Sequence, residues 1–268
     1  MASTVADNHV HTEWSWDAER GSMELSCRRA LEFGLPAIAF TEHADFARLH
    51  RGQKPVDITG YLACLERCRA GFPDLRILSG VELGEPHLFP DRAQEILSAG
   101  PIDRVLGAVH ATAVDGRLRD ASHQGVLAPE RAPGFLRDYL AETLRLVESS
   151  LPFAVLAHLD YPKRYWPHDQ VTYRETDYEE ELRAVLRGLA RRDGVLEVNT
   201  TRGWEPARGL CPGPLVLGWW REEGGAAVSL GSDAHEPELI AAGFREALPL
   251  VESQGFRAPG DPTGFFRR

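Results

Sequence analysis

The sequence predicts an α/β protein of the (β/α)-barrel type, and three observations support this prediction. Seven short β-branched or apolar runs alternate with segments of helical periodicity. The connections after the predicted strands are long, whereas those that lead into them are short. Histidine or acidic residues end nearly all of the strands. A parallel barrel brings such residues to one face, whereas an open doubly wound sheet would not require them after every strand.

The predicted strands and helices follow one another in regular order. The strands lie near residues 7–11, 36–41, 75–82, 103–109, 153–158, 194–199 and 226–231. The helices lie near residues 22–33, 59–70, 90–99, 133–149, 177–192, 213–223 and 237–254. No linker rich in Ser, Gly and Pro and no shift in composition interrupts this pattern. Residues 1–268 are therefore predicted to form a single barrel domain.

The composition narrows the class of function. The formal net charge of −10 gives no basic field for a nucleic-acid backbone, so the sequence disfavours nucleic acid as a partner. No apolar run is long enough for a membrane span, and no signal peptide precedes the first strand. The four cysteines are too scattered for a disulfide framework. These features predict a cytoplasmic protein with no membrane partner, and they leave the oligomeric state open.

Residue types that bind metals recur at the predicted strand ends. Six of the ten histidines take part, together with two aspartates and one glutamate. The nine residues are His9, His11, Asp17, His43, Glu82, His110, His158, Asp233 and His235. Imidazole and carboxylate donors together suit Zn, Fe or Mn. Nine donors exceed the needs of one four- to six-coordinate ion, so the sequence predicts two or three divalent ions.

These motifs resemble those of the polymerase and histidinol phosphatase (PHP) superfamily, and the likeness extends over essentially the whole chain. The stretches that carry it are His9-Val10-His11-Thr12, Phe40-Thr41-Glu42-His43, Glu197-Val198-Asn199-Thr200 and Leu230-Gly231-Ser232-Asp233-Ala234-His235. Within the superfamily the chain is most similar to the monofunctional histidinol-phosphate phosphatases. The resemblance implies a distorted (β/α)7 TIM-like barrel of PHP type with a trinuclear metal site.

The resemblance also implies how the donors are shared among the ions. One ion would take His9, His11, Glu82 and Asp233. A second would share Glu82 and take His110 and His158, and a third would take Asp17, His43 and His235. Glu82, Asp233 and His235 are the predicted catalytic residues. We expect Glu42, Asp45 and Asp160 either to support the donors, because a ligating imidazole needs an acceptor for its other nitrogen, or to serve a structural role.

The activity that the resemblance implies is hydrolysis of L-histidinol phosphate, a phosphatase step of histidine biosynthesis. A metal-bridging hydroxide would attack the phosphorus atom in line with the leaving oxygen. An alternative is a PHP phosphoesterase that acts on nucleotides or nucleic-acid ends, which would need an open cleft with basic rims. A third interpretation is an inactive barrel that retains metal for stability or partner contact. The complete donor set disfavours the last of these.

Recognition of the substrate depends on the loops that follow the strands. Arg164 and Arg202 are the predicted substrate-binding residues, since a guanidinium fork matches the oxygens of a phosphate group. The candidates for contact with the imidazole end, by loop position only, are Trp14, Trp16, Glu85, Tyr165 and Trp166.

Overall fold

A computed structural model describes residues 5–47, 53, 55–123, 125–201 and 209–268. Its strands are β1 (Asp7–Val10), β2 (Ala37–Asp45), β3 (Arg76–Gly84), β4 (Arg104–Ala108), β5 (Ala111–Val114), β6 (Arg117–Asp120), β7 (Val155–Leu156), β8 (Val195–Asn199), β9 (Ala227–Gly231) and β10 (Phe266–Arg267). Its helices are α1 (Met23–Phe33), α2 (Ile58–Gly71), α3 (Pro90–Ser98), α4 (Ala132–Glu148), α5 (Glu179–Arg191), α6 (Pro214–Glu222) and α7 (Phe244–Ser253). All seven predicted strands are confirmed.

The predicted helix at 237–254 is wrong in its first half. A short 3₁₀ turn, Pro237–Leu239, comes first, and α7 begins only at Phe244. Ala241 and Gly243 have φ angles of 56° and 78°, which an α-helix cannot accommodate. The Ala241 amide donates to the Asp7 carboxylate at 2.9 Å. This tertiary bond competes with the helix and holds the turn against the start of β1.

Two further elements were not predicted from the sequence. The loop after β4, expected to lack regular structure, contains the antiparallel hairpin β5–β6. Near the end of the chain, β10 pairs antiparallel with β9, with Phe266 opposite Val228. Both elements are short, and β10 has only two residues, so hydrophobic periodicity gives little signal for them.

The main sheet curls into a distorted barrel. Its strand order is β1-β2-β3-β4-β7-β8-β9-β10, and all neighbours except β9 and β10 are parallel. At the carboxyl end of the strands, the His11 amide donates to the Ala234 carbonyl at 2.8 Å, and the Asp233 amide donates to the His9 carbonyl at 2.7 Å. These bonds join the first strand to the segment after β9. The first parallel strand and the segment after the last one therefore meet at this face.

The inner face of the barrel is apolar at one end and polar at the other. Glu82 pairs in register with Leu106, which pairs with Val155, and Val155 pairs with Val195. Paired residues of parallel strands point to the same side, so these apolar side chains share the face of Glu82. They belong to a small buried cluster against which Phe265 packs. The larger core, which is also buried, includes side chains from the helices and from the sheet. These apolar side chains pack against the polar end of the barrel interior.

None of the helices in the described residues has the length and hydropathy needed to cross a membrane.

A buried ion pair outside the barrel mouth gives a prediction about acid stability. Nε2 of His87 lies 2.5 Å from Oε1 of Glu142 on α4, and Arg145 contacts the same carboxylate. Burial alone would raise the pKa of Glu142, but hydrogen bonds from His87 and Arg145 outweigh it and lower the pKa to about 2. A depressed carboxyl pKa stabilises the fold above the ordinary value of 4.5, and this contribution is lost as the pH falls toward 2.

We therefore expect Glu142→Gln to lower the unfolding temperature by roughly 3–6 °C at pH 6. The difference in unfolding temperature between the variant and the unsubstituted protein should decrease as the pH falls below 4.5. Thermal unfolding of both proteins in chelator, from pH 3 to pH 7, measures this. An equal gap at pH 3.5 and at pH 6 would contradict the assigned ion pair.

Candidate metal centre

The predicted donors meet around a cavity of about 140 Å³ at the carboxyl ends of the strands. Among the described residues, its lining includes Trp16, Asp17, His43, Asp45, Glu82, His110, Asp120, Ser122, His158, Tyr161, Arg164, Tyr165, Asp233 and His235. Most predicted donors appear in this lining, and the remaining two, His9 and His11, lie behind it in the barrel wall with side chains that are almost fully buried. All nine predicted donors are thus gathered at one face.

One group contains four donor atoms, from His9, His11, Glu82 and Asp233. Nε2 of His9 lies 3.3 Å from Oε2 of Glu82 and 3.6 Å from Oδ1 of Asp233. Nε2 of His11 lies 3.5 Å and 3.2 Å from the same two oxygens. The two nitrogens are 3.0 Å apart. Donors bound at about 2.1 Å in a tetrahedron are separated by about 3.4 Å, so this spacing fits a single ion.

A second group shares Glu82 through its other oxygen. Oε1 of Glu82 lies 2.7 Å from Nε2 of His158 and 3.3 Å from Nε2 of His110. Its Oε2 faces His9 and His11, as described above. One buried carboxylate therefore stands between two sets of imidazoles. This is the arrangement that a bridging ligand requires.

The third group is the most exposed. Oδ2 of Asp17 lies 3.5 Å from Nε2 of His43 and 3.3 Å from Nε2 of His235. The side chains of Asp17 and His235 are 28% and 30% exposed, whereas that of Glu82 is fully buried. His43 also turns its Nδ1 toward Oε2 of Glu82, at 3.0 Å. His43 therefore contacts both Asp17 of the third group and the buried Glu82.

The electrostatics of the cluster suit a cation. Burial would raise the pKa of Glu82, but the charges of His9 and His110 outweigh it and hold that pKa well below its usual value. Burial, together with the neighbouring His43 and His235, lowers the pKa of His11 to about 3. Among the described residues, Oε2 of Glu82 receives no hydrogen bond of normal geometry. A buried carboxylate oxygen in that state is costly unless a cation offsets its charge.

Polar side chains behind the donors hold them in place. Oγ of Ser15 donates to Glu42 at 2.6 Å and lies 3.1 Å from Nδ1 of His11. Because that hydroxyl proton is used on Glu42, the hydroxyl accepts from Nδ1–H and leaves Nε2 of His11 as the donor atom. Oδ1 of Asp45 lies 3.4 Å from Nδ1 of His110. Glu42 and Asp45 thus have the contacts expected of supporting residues.

Asp160 contacts residues of its own loop. Its Oδ2 lies 3.0 Å from Nζ of Lys163 and accepts from the Tyr173 hydroxyl at 3.2 Å. Asp160 therefore holds the loop after β7 and contacts none of the nine donors by a described hydrogen bond.

The predicted substrate-binding arginines have different outcomes. Arg164 lines the cavity, but it is buried, and its Nη1 lies 2.9 Å from Oδ2 of Asp233. The guanidinium also stacks over the Tyr161 ring, at 5.2 Å from its centroid. Arg164 is therefore built into the wall beside a donor, which the sequence did not indicate. Arg202 lies outside the described residues.

Of the loop residues predicted to contact the imidazole end of the substrate, some line the cavity and others do not. Trp16 and Tyr165 line the cavity. Glu85 does not, because its Oε1 accepts from the amides of His110 and Ala111 and anchors the segment after β4. Trp14 and Trp166 also lie outside the lining. Trp166 is buried, and its indole N–H donates to a backbone carbonyl.

Three lining residues and one buried carboxylate were missed at the sequence level. Asp120 and Ser122 reach the cavity through the unpredicted hairpin β5–β6, and Tyr161 does so through a 3₁₀ turn. On β8, Glu197 places its Oε1 2.6 Å from Nδ1 of His9. An acidic residue inside an otherwise apolar strand was the available signal.

Comparison with known proteins gives consistent matches. A family model described as "PHP domain" matches residues 7–201. The chain is 27% identical over 252 residues to a histidinol-phosphatase of Lactococcus lactis subsp. lactis, covering 93% of this chain and 91% of the relative. It is 26% identical over 256 residues to a probable histidinol-phosphatase of Thermotoga maritima, covering 94% and 93%.

A solved structure has the same fold over nearly the full length. It is histidinol phosphate phosphatase from Lactococcus lactis subsp. lactis, complexed with zinc, L-histidinol and phosphate. It superposes with a TM-score of 0.86 at 24% identity, covering 98% of this chain and 97% of the other. A putative histidinol phosphatase from Listeria monocytogenes superposes with a TM-score of 0.73 at 17% identity, covering 90% and 99%.

Proposed function

Because this chain belongs to the PHP domain family, we propose that it is a metal-dependent phosphatase that hydrolyses L-histidinol phosphate to L-histidinol and phosphate. The observation that carries the proposal is the convergence of nine imidazole and carboxylate donors on one small cavity. The named relatives, which align over more than nine-tenths of their length, support the choice of substrate. A role in histidine biosynthesis and a cytoplasmic location belong to the same proposal.

The metal assignment follows the three groups of donors. His9, His11, Glu82 and Asp233 would hold one ion. Glu82, His110 and His158 would hold a second, and Asp17, His43 and His235 a third. Zinc, the metal in the complex of the Lactococcus relative, suits these donors, as do iron and manganese.

The residues of the chain orient the reacting groups around this centre. When bound, divalent ions lower the pKa of a water molecule toward neutrality and offset the charge of the phosphoryl group in an in-line displacement. Glu82 and Asp233 are the carboxylates that would hold the ions at the cavity floor, and His235 stands at its open side, so these three are the proposed catalytic residues. Arg164 adds a cation beside Asp233, within reach of a phosphate group in the cavity.

The remaining wall of the cavity suits a small heteroaromatic substrate. Trp16, Tyr161 and Tyr165 contribute aromatic side chains, and Asp120 contributes a carboxylate. The cavity of about 140 Å³ favours a small monoester. The net charge of −10 also opposes a polyanion.

A kinetic comparison tests the proposal. We expect zinc- or manganese-loaded protein to show a kcat/KM for L-histidinol phosphate about 100-fold or more above that for nucleoside monophosphates, nucleoside bisphosphates and 5′-phosphorylated oligonucleotides. Released phosphate is the measured product. Glu82→Ala protein from the same purification reports any contaminating phosphatase. Equal or faster turnover of the bisphosphates or oligonucleotides would overturn the substrate assignment in favour of a nucleotide phosphoesterase.

A further inference from the structure

We propose that Glu197, on β8, is a positioning residue that selects the donor nitrogen of His9 and links it to donors that follow two other strands. This role rests on the proposed metal-dependent function. Among the seven parallel strands, β8 is the one that supplies none of the nine predicted donors, either from the strand or from its described flanks. The contribution of β8 to the site is Glu197, which orients donors that belong to neighbouring strands.

The contacts of Glu197 use both of its oxygens. Oε1 lies 2.6 Å from Nδ1 of His9, and Oε2 accepts from the backbone amide of His158 at 2.8 Å. Oε2 also accepts from Nδ2 of Asn199 at 3.2 Å. The side chain is 1% exposed. With no bulk water to replace these partners, the carboxylate is held in one orientation.

These contacts decide which nitrogen of His9 would face a bound metal ion. The 2.6 Å contact places the ring proton on Nδ1, because a carboxylate is an acceptor only. In the neutral imidazole, Nε2 then carries the free lone pair, and it points to Oε2 of Glu82 and Oδ1 of Asp233, at 3.3 Å and 3.6 Å. A carboxylate behind a ligating histidine both sets the tautomer and increases the basicity of the ligand.

The same network reaches the other donors through backbone and amide groups. His158 has a φ angle of 22°, a strained value for a residue other than glycine, and the bond from its amide to Glu197 holds it there. Nδ2 of Asn199 lies 3.2 Å from Oδ2 of Asp233 as well as from Glu197. Oδ1 of Asn199 accepts from Thr201, which fixes the direction of the amide. Glu197 therefore connects His9, His158 and Asp233.

Glu197→Gln is the sharpest substitution, because it keeps the size of the side chain and changes only its donors and acceptors. A carboxamide accepts at one end and donates at the other. It cannot accept from Nδ1–H of His9 and also from the amide of His158. Glu142→Gln is the matched control, since Glu142 is also a buried glutamate bonded to an imidazole, that of His87, outside the donor cluster.

We expect the Glu197→Gln variant to have a lower affinity for metal. In competition with a chelator, Glu197→Gln should bind zinc 10–100-fold more weakly than the unsubstituted protein, whereas Glu142→Gln should bind it equally well. Unfolding of the metal-free proteins should show similar losses of stability for the two variants. Unchanged zinc affinity in Glu197→Gln would overturn the proposal. An equal loss of zinc affinity in both variants would also overturn it.

A second measurement requires no variant to fold. Nitrogen-15 NMR of the zinc-loaded, histidine-labelled protein should show His9 with its proton on Nδ1, and a proton on Nε2 would overturn the proposal. Neither experiment uses a substrate. If L-histidinol phosphate is not hydrolysed but the zinc affinity and the tautomer are as expected, the substrate assignment alone fails.

Discussion

Replacement of Glu82 by alanine is expected to lower kcat/KM by about 10⁴-fold or more and to remove more than one equivalent of bound metal. The reason is the position of its two oxygens. Oε2 lies 3.3 Å from Nε2 of His9, and Oε1 lies 2.7 Å from Nε2 of His158, so one side chain serves two groups of donors. Metal analysis after gel filtration and steady-state kinetics with L-histidinol phosphate measure the two effects.

The matched control for this experiment is Glu142→Ala. It removes a buried glutamate that is paired with His87 and lies outside the donor groups, so metal content and kcat/KM should stay near those of the unsubstituted protein. Loss of a single equivalent from Glu82→Ala, with activity retained, would contradict the bridging assignment.

Replacement of Arg164 by leucine is expected to lower kcat/KM about 10²–10³-fold and to destabilise the fold by about 3–5 kcal/mol. The guanidinium lies at the cavity wall, where it would compensate charge on the phosphoryl group. It is also the partner of Asp233 at 2.9 Å, and its loss leaves a buried carboxylate without that cation. Kinetics and urea unfolding of the metal-loaded protein test the two effects separately.

Two variants separate the roles of Arg164. Arg164→Lys keeps the charge but loses the planar fork, so it should recover stability more fully than activity. Lys163→Met removes the neighbouring buried cation, which pairs with Asp160 and is absent from the cavity lining, so it should lower stability while leaving kcat/KM within a few-fold. If Arg164→Leu retained full activity, Arg164 would be a purely structural residue.

The strand ends were the most predictable part of the molecule. The side-chain period of a strand is two, so His9 and His11 had to share a side, and parallel strands had to present Glu82 and His110 at one edge. Helix boundaries were also close where capping is local, as at Gly34, whose φ of 83° ends α1. The prediction of a helix was wrong for the first half of residues 237–254. The Ala241 amide there donates to Asp7, which is remote in sequence.

The loops were less predictable, because a position in the chain does not specify where a side chain points. Glu85 and Tyr165 were equal candidates by loop position. Glu85 turns inward to two backbone amides, and Tyr165 lines the cavity. Arg164 was predicted to bind substrate, and in the structure its guanidinium pairs with the buried Asp233. Contacts between loops are set by packing, which has no signature in local composition.

The sequence by itself determined the (β/α)-barrel class, the face that carries the donors and the kind of metal chemistry that they suit. Those features follow from local periodicity and from the chemistry of imidazole and carboxylate groups. Only the tertiary structure decided which donor atoms lie within reach of one another and what holds them there. Closure of β1 against the segment after β9 brings His9 to Asp233, and the buried Glu197 behind His9 turns its Nε2 toward Glu82. Such contacts depend on distances between remote strands, which no local pattern encodes.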